Sequence, residues 1–340
     1  MRVTASAPGK LVLLGEYAVL DGAPALVLAV NRRARVTLTD TGGDCWEIAS
    51  PTLELQARLR LQDRDAAWID AAPEELEWTA TLLARFPQAG RLPACRIQLD
   101  SDAFHLDHEG VREKLGLGSS AALTVALLGA LHALADLAPP TLGEAIEAHR
   151  AIQHGHGSGI DIGASAAGGL SRFQLIGDAA RIDPVKWPRG LRWVCVYSGR
   201  PASTSAMLAR VATWREREPT AFTQYMHELA TISSRGIDAL TANDAAAFLS
   251  SFHDYATALA RFGAAAGADI ASREHRAIAA IAADCGCVYK SCGAGGGDVG
   301  VTFAVEDTRL RAFSELASRA GFPVIGLEAD PKGLEVVSNV

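Results

Sequence analysis

Over the first 40 positions, apolar and polar residues alternate in runs too short for helices. LVLLGEYAVL and ALVLAV are separated by the turn-forming DGAP, and RARVTLT follows with a period of two. This pattern predicts strands in a hairpin or meander. Residues 50–90 read as helix-rich and mixed in charge, CRIQLD at 95–100 as a strand, and SDAFHLDHEGVREK as a polar loop. A long apolar helix should follow the Gly-Ser stretch that starts at residue 114. TLGEAIEAHRAIQ at 141–153 predicts a helix with Thr141 as N-cap and Glu144 closing a capping box. A second helical stretch should begin near Asp161, GGLSRFQLI should turn into a strand, and DPVKWPRG reads as a linker. LRWVCVYSG then predicts a buried strand, followed by Ala-rich helices over 205–216, 223–236, 243–263 and 272–283. CVYK, a glycine loop, VGVTFAV, one more helix and two short strands complete the chain. At 340 residues the chain exceeds one ordinary core, and the linker divides it into 1–187 and 188–340.

Composition narrows the class. With 49% apolar and 21% charged residues the chain is globular rather than disordered. A formal charge of −7 without a basic block argues against a nucleic-acid partner. MRVTASAPGK shows no charged leader ahead of an apolar core, so a cytoplasmic location is expected. The six cysteines are scattered, which argues against a disulfide framework. Cys285, Cys287 and Cys292 cluster without CxxC spacing and read as small buried thiols rather than metal ligands.

The chemistry centres on KLGLGSSAALTVALLGALHAL at 114–134. Residues 119–138 approach the length of a membrane span, but His132 and Asp136 interrupt them, so a buried core helix is the better reading. Gly116-Leu-Gly118-Ser-Ser-Ala121 satisfies G-x-G-x-x-A, yet a dinucleotide fingerprint must directly follow a buried strand, and here VREK precedes it. A phosphate cradle needs less. Two glycines let backbone approach a ligand, Ser119 and Ser120 offer hydroxyls, and the helix N-terminus presents unpaired N–H groups.

Together with two further motifs, this stretch resembles the GHMP kinases. The motifs are APGKLVLLGEYAVLDG at 7–22, KLGLGSSAA at 114–122 and CGAGGGDVG at 292–300. Lys114 before LGLGSS, GSGIDIGAS at 157–165 with GGLSRF at 168–173, and SGRPASTS at 198–205 look like the branch that phosphorylates 5-phosphomevalonate. The resemblance implies an α+β GHMP kinase fold: an N-terminal domain like domain 2 of ribosomal protein S5, then a ferredoxin-like α/β domain, with ATP between them. The implied reaction is ATP-dependent phosphorylation of (R)-5-phosphomevalonate to the diphosphate, for isoprenoid precursors.

In roles, the resemblance makes Lys10 and Asp161 catalytic, and gives Gly116, Leu117, Gly118, Ser119, Ser120, Ala121 and Ala122 to ATP, with Ser120 a ligand of Mg²⁺. It gives Lys114, Ser158, Arg172, Ser203, Thr204, Ser205, Gly293, Ala294 and Gly295 to the acceptor, a small phosphorylated carboxylic acid. Without it, Asp161 reads as an ordinary helix N-cap and Lys10 as an exposed lysine. No nucleic-acid or membrane partner is expected, and the chain should be a monomer or homodimer. Two positions depart from the family. Arg150 stands where mevalonate kinases carry a metal-binding Glu, leaving only Glu144 or Glu147 as guesses, and Cys292 replaces a Ser/Thr, with Ser291 as its substitute donor. His154 and His156 form an HxH that reads as hydrogen-bonding rather than metal-binding. A mevalonate kinase, another small-molecule kinase of the family, an NAD(P) oxidoreductase and a silent sensor remain as alternatives.

Overall fold

The computed structural model describes residues 1–62, 65–108, 110–153, 155, 157–177 and 179–339; the HxH histidines lie outside them. Strands Arg2–Leu14 and Ala25–Asp40 pair antiparallel along almost their full length, as the alternation at the N-terminus predicts. The register shifts at Pro8/Gly9, beside a proline that has no N–H to give the ladder. The second strand is long enough to pair twice on its other edge. Its early residues meet Leu170–Ile176 and its later ones meet Cys95–Asp100. Trp46–Ser50, Leu55–Gln62 and Asp65–Trp68 extend the sheet on one side and Ala179–Pro184 on the other.

Helix Ser119–Leu134 packs against the first two strands, and Val125, Ala126, Leu127 and Ala130 are completely buried. Burial on nearly every side explains a sequence that is apolar all round. Among the described residues no helix is long and apolar enough to cross a membrane. Helix Leu142–Ile152 carries the expected capping box: Glu144 N–H donates to Thr141 Oγ1 at 3.2 Å, and Thr141 N–H to Glu144 Oε2 at 2.7 Å.

Two stretches differ from expectation. Residues 50–90 hold one α-helix, Glu77–Arg85, preceded by the strands Leu55–Gln62 and Asp65–Trp68. Leu55, Ala57, Leu59 and Leu61 alternate with polar residues, so the period of two outweighs the charge content that suggested helices. The polar segment after Asp100 contains a hairpin of His105–His108 and Val111–Lys114.

The second sheet is antiparallel, in the order Val288–Ser291, Val299–Ala304, Arg192–Tyr197, Val324–Ile325. Helices Arg273–Asp284 and Asp307–Arg319 share a small core with it around Ile278 and Phe313. From helix Ala245–Ala265, Phe248 and Phe252 meet Phe303 edge-on, with ring centroids 5.4 and 4.8 Å apart. Helix Pro219–Thr241 reaches the first sheet: a Cβ on Gly236 would lie 2.5 Å from Leu14 Cδ1.

Glu335–Asn339, a strand from beyond the expected 187/188 division, returns to the first sheet and pairs antiparallel with Arg2–Ser6. Arg33 fastens the segment leading to it. Its guanidinium donates to Asp330 Oδ2 (2.8 Å), to the carbonyls of Lys332 (3.1 Å) and Gly333 (2.7 Å), and to Ser6 O (2.9 Å) and Oγ (3.1 Å). Five donors in a planar fork suit such a clamp, and methionine supplies none. Arg33→Met should therefore lower stability by about 2–3 kcal/mol, read as a shifted urea midpoint.

Candidate active site

The site is built around one lysine. Lys10 N–H donates to Leu117 O at 2.8 Å, bringing the first strand into backbone contact with the Gly-Ser loop. Gly9 permits this approach, because a Cβ there would lie 2.8 Å from Phe104 and 2.9 Å from Leu117 O. Gly118, with φ +79°, is the N-cap of helix Ser119–Leu134, and a Cβ on it would lie 3.0 Å from Lys10 Cε. The lysine stem thus fills the space a side chain would need. Lys10 Nζ lies 3.5 Å from Asp161 Oδ1, with side chains 9% and 35% exposed. The N-cap of helix Ile160–Ala167 is Gly159, and Asp161 sits in the first turn, so the capping reading of Asp161 gives way. A Cβ on Gly293 would lie 3.9 Å from the same Nζ. All three motifs meet along this lysine.

In the Gly-Ser loop Ser119 is buried and Ser120 is exposed. Strand Val111–Lys114 directly precedes the loop, but it belongs to an exposed two-stranded hairpin and not to the buried strand a dinucleotide fold requires. Ser120 Oγ lies 3.4 Å from Nε2 of His149, a buried residue whose pKa burial lowers while Asp161 opposes the shift. His149, which the motif alignment passes over, shares the buried stripe of its helix with Ala145 and Ile146. Its neighbour Arg150 turns away and donates to Gly157 O at 3.1 Å. Glu144 is committed to its capping box and Glu147 is exposed.

The third loop has positive φ at Gly293, Gly295 and Gly296. It is held from three sides. Tyr17 Oη donates to Ala294 O (2.6 Å), Gly296 N–H donates to Ile270 O (2.8 Å), and His275 Nε2 lies 2.9 Å from Gly297 O. Asp298 follows with φ +58°; its N–H donates to Arg200 O, its carbonyl accepts from Ser198 N–H, and its Oδ1 accepts from Ala202 N–H at 3.1 Å. Its carboxyl fills the place of a side chain on Gly116. Burial raises the Asp298 pKa, opposed first by the Ala202 N–H bond and then by the charges of Lys10 and Lys114. The only sequence signal for Asp298 is a charged residue ending a glycine run.

Glu16 and Lys290 form a buried ion pair between the two halves of the chain, with side chains 3% and 1% exposed. Lys290 also donates to Ser291 O at 2.6 Å and lies 5.7 and 5.8 Å from the ring centroids of Phe252 and Tyr255. Tyr255 Oη donates to Glu16 O at 2.8 Å. Burial raises the Glu16 pKa, and the Lys290 ammonium opposes it, with Lys10 adding a smaller pull the same way. Cys292, in the family's Ser/Thr position, is buried near these charges, and its thiol pKa is pushed up to about 12, so it stays protonated.

The remaining candidates are more dispersed. Ser158 is buried, and its Oγ accepts from Ile160 N–H at 3.3 Å. Arg172, on strand Leu170–Ile176, donates to Gln174 Oε1 at 3.1 Å, a strand neighbour outside the three motifs. Ser203 caps helix Thr204–Arg217 through Ala206 N–H, and its Oγ lies 3.2 Å from Ser205 Oγ; Ser203, Thr204 and Ser205 are exposed. Residues 198–202, just before them, abut the third loop through Asp298.

A buried lysine between two glycine loops, one of them opening a helix, is the equipment of a phosphotransferase. Residues 78–169 match the N-terminal domain of the GHMP kinases. The chain is 31% identical to the phosphomevalonate kinase of Streptomyces sp. (strain CL190) over 337 residues, 87% of this chain and 88% of that one. It therefore belongs to the GHMP kinase family. A mevalonate kinase of Thermococcus gammatolerans is 28% identical over 64% of each chain. The fold is shared with Streptococcus pneumoniae phosphomevalonate kinase, solved with phosphomevalonate and AMPPNP: TM-score 0.78, 19% identity, 96% of this chain and 99% of that one.

Two outcomes test the geometry. Gly118→Ala forces a left-handed alanine against Lys10, and should cost about 1–2 kcal/mol of stability while lowering kcat at least about tenfold. Lys290→Met strands a buried carboxylate and should cost about 3–5 kcal/mol in denaturant unfolding; adding Glu16→Gln should recover most of it.

Proposed function

We propose that this kinase transfers the γ-phosphoryl group of ATP to (R)-5-phosphomevalonate, giving 5-diphosphomevalonate. The observation that carries the reading is Lys10 itself: buried, against Asp161, at the meeting of two glycine loops. The acceptor is argued from the likeness to the Streptomyces phosphomevalonate kinase over most of both chains.

Lys10 stabilises charge on the transferred group, where low dielectric and a fixed position make one cation effective. Gly116 to Ala122 wrap the ATP phosphates, which meet the N–H groups at the start of helix Ser119–Leu134. The exposed Ser120 hydroxyl and the Asp161 carboxylate are hard oxygen donors and fit Mg²⁺, which takes few protein ligands beside phosphates and water. When bound, Mg²⁺ neutralises the phosphate oxygens. Lys114, Ser158, Arg172 and the Ser203–Ser205 helix start receive the acceptor's phosphate and carboxylate, and Gly293 to Gly297 form the second wall, where backbone closes on the ATP phosphates with Gly293 to Gly295 also facing the acceptor.

The acceptor decides what Asp161 does. A phosphate monoester has its second pKa near ~6 and is largely dianionic at neutral pH. It has almost no proton to lose, so Asp161 holds and orients Lys10. A hydroxyl acceptor instead needs a base, worth roughly 10²–10⁴-fold. The likeness to an archaeal mevalonate kinase gives that second reading its support.

The test is ADP release with Mg-ATP on (R)-5-phosphomevalonate, mevalonate, homoserine and galactose. Turnover is expected only on the phosphorylated acceptor. Lys10→Met should lower kcat by about 10³-fold or more, and Asp161→Asn by only about 10–100-fold. Turnover on mevalonate alone, abolished in Asp161→Asn while Lys10→Met barely matters, would refute the proposal.

A further inference from the structure

His275 lies outside all three motifs, yet it holds one of them. It sits in the first turn of helix Arg273–Asp284, 3% exposed. Nε2 lies 2.9 Å from Gly297 O and Nδ1 lies 2.7 Å from Tyr289 Oη. A carbonyl oxygen can only accept, so Nε2 carries the proton. Burial lowers the ring's pKa to about 4, against a milder pull upward from Gly297 O and Glu274, so the imidazole is neutral at pH 7. Nδ1 is then bare and accepts from the Tyr289 O–H, which burial keeps protonated. Only this tautomer bonds both partners: in the other, Nδ1–H could still donate to the Tyr289 hydroxyl, but a bare Nε2 would face the Gly297 carbonyl.

The third loop needs such an anchor. Its glycines cannot be replaced by larger residues to stiffen it: a Cβ on Gly295 would lie 2.6 Å from Ile270 O, and one on Gly297 would lie 2.7 Å from Arg200 O. Without side chains its position depends on what grips its backbone. Gly297 is followed by Asp298, whose carboxyl packs on Gly116 of the other loop. A shift of the Gly297 carbonyl therefore changes the gap between the two phosphate loops.

We propose that His275 is a positioning residue for nucleotide binding: its Nε2–H holds the Gly297 carbonyl, and with it the third loop, at the spacing the ATP phosphates require, while Tyr289 steadies the ring from Nδ1. The inference rests on the kinase reading of the loop, not on which acceptor is used. The experiment compares His275→Gln with His275→Asn, because a glutamine amide nitrogen reaches about where Nε2 sits and an asparagine one about where Nδ1 sits. Affinity for Mg-AMPPNP is measured by calorimetry, with thermal unfolding in parallel. His275→Asn should weaken binding about tenfold, and His275→Gln should stay within about threefold, although both lower the unfolding temperature. Tyr289→Phe removes the hydroxyl that steadies the ring at Nδ1; it should weaken binding several-fold and make the Nε2–H resonance of His275 exchange faster. Equal losses in the two His275 variants, or unchanged affinity in His275→Asn or Tyr289→Phe, would overturn the proposal. Because nucleotide affinity does not involve the acceptor, an error in the acceptor assignment appears only in turnover.

Discussion

A buried ammonium group persists only where fixed anions and dipoles surround it, and this cleft contains two. Lys290 pairs with Glu16, Glu16 acts on Lys10, and Lys10 faces Asp161, so positive and negative charges alternate inward from the second sheet. Three of the four residues come from the first half of the chain and Lys290 from the second. The same row that makes Lys10 tolerable also ties the two walls together. In a medium of low dielectric each charge depends strongly on its neighbour. One glycine beside the row follows from it: the side chain of Lys10 occupies the volume that a residue at 118 would otherwise claim.

Much of this was legible in the sequence because it is local. The alternation at the N-terminus, the capping box at Thr141 and the all-apolar helix behind Ser119 depend on residues a few positions apart. What was not legible depends on meetings across the chain. Glu16 and Lys290 are 274 positions apart, and although Glu16 lies in the first motif, nothing local pairs it with Lys290. Residue type alone would allow Asp161 as a cap, the alternative to its catalytic reading, but Gly159, with φ +81°, takes that position. Ser158 and Arg172 carry the right chemistry, and each makes one local bond, with Ile160 N–H and Gln174 Oε1, that leaves further polar capacity for a ligand.

The contrast between Arg150 and His149 shows how helix geometry corrects an alignment. Matching by spacing selects Arg150, but adjacent helical residues point about 100° apart. Helix Leu142–Ile152 directs His149 at Ser120 and sends Arg150 back to Gly157. A neutral imidazole adds no negative charge beside the phosphate loop, which leaves Asp161 as the carboxylate nearest Lys10 there.

The return of Glu335–Asn339 to Arg2–Ser6 has a consequence for how the molecule is made. Ribosomal synthesis runs from the N-terminus, so the strand that carries Lys10 emerges long before its partner, and its outer edge stays open until Glu335–Asn339 has been made. At typical elongation rates that wait lasts roughly tens of seconds. An unpaired strand edge is a template for aggregation, and pairing at such long sequence separation is slow. A truncated product would therefore carry an adhesive edge beside an unfinished cleft, and quality control would meet it as a chaperone client rather than as a weak enzyme.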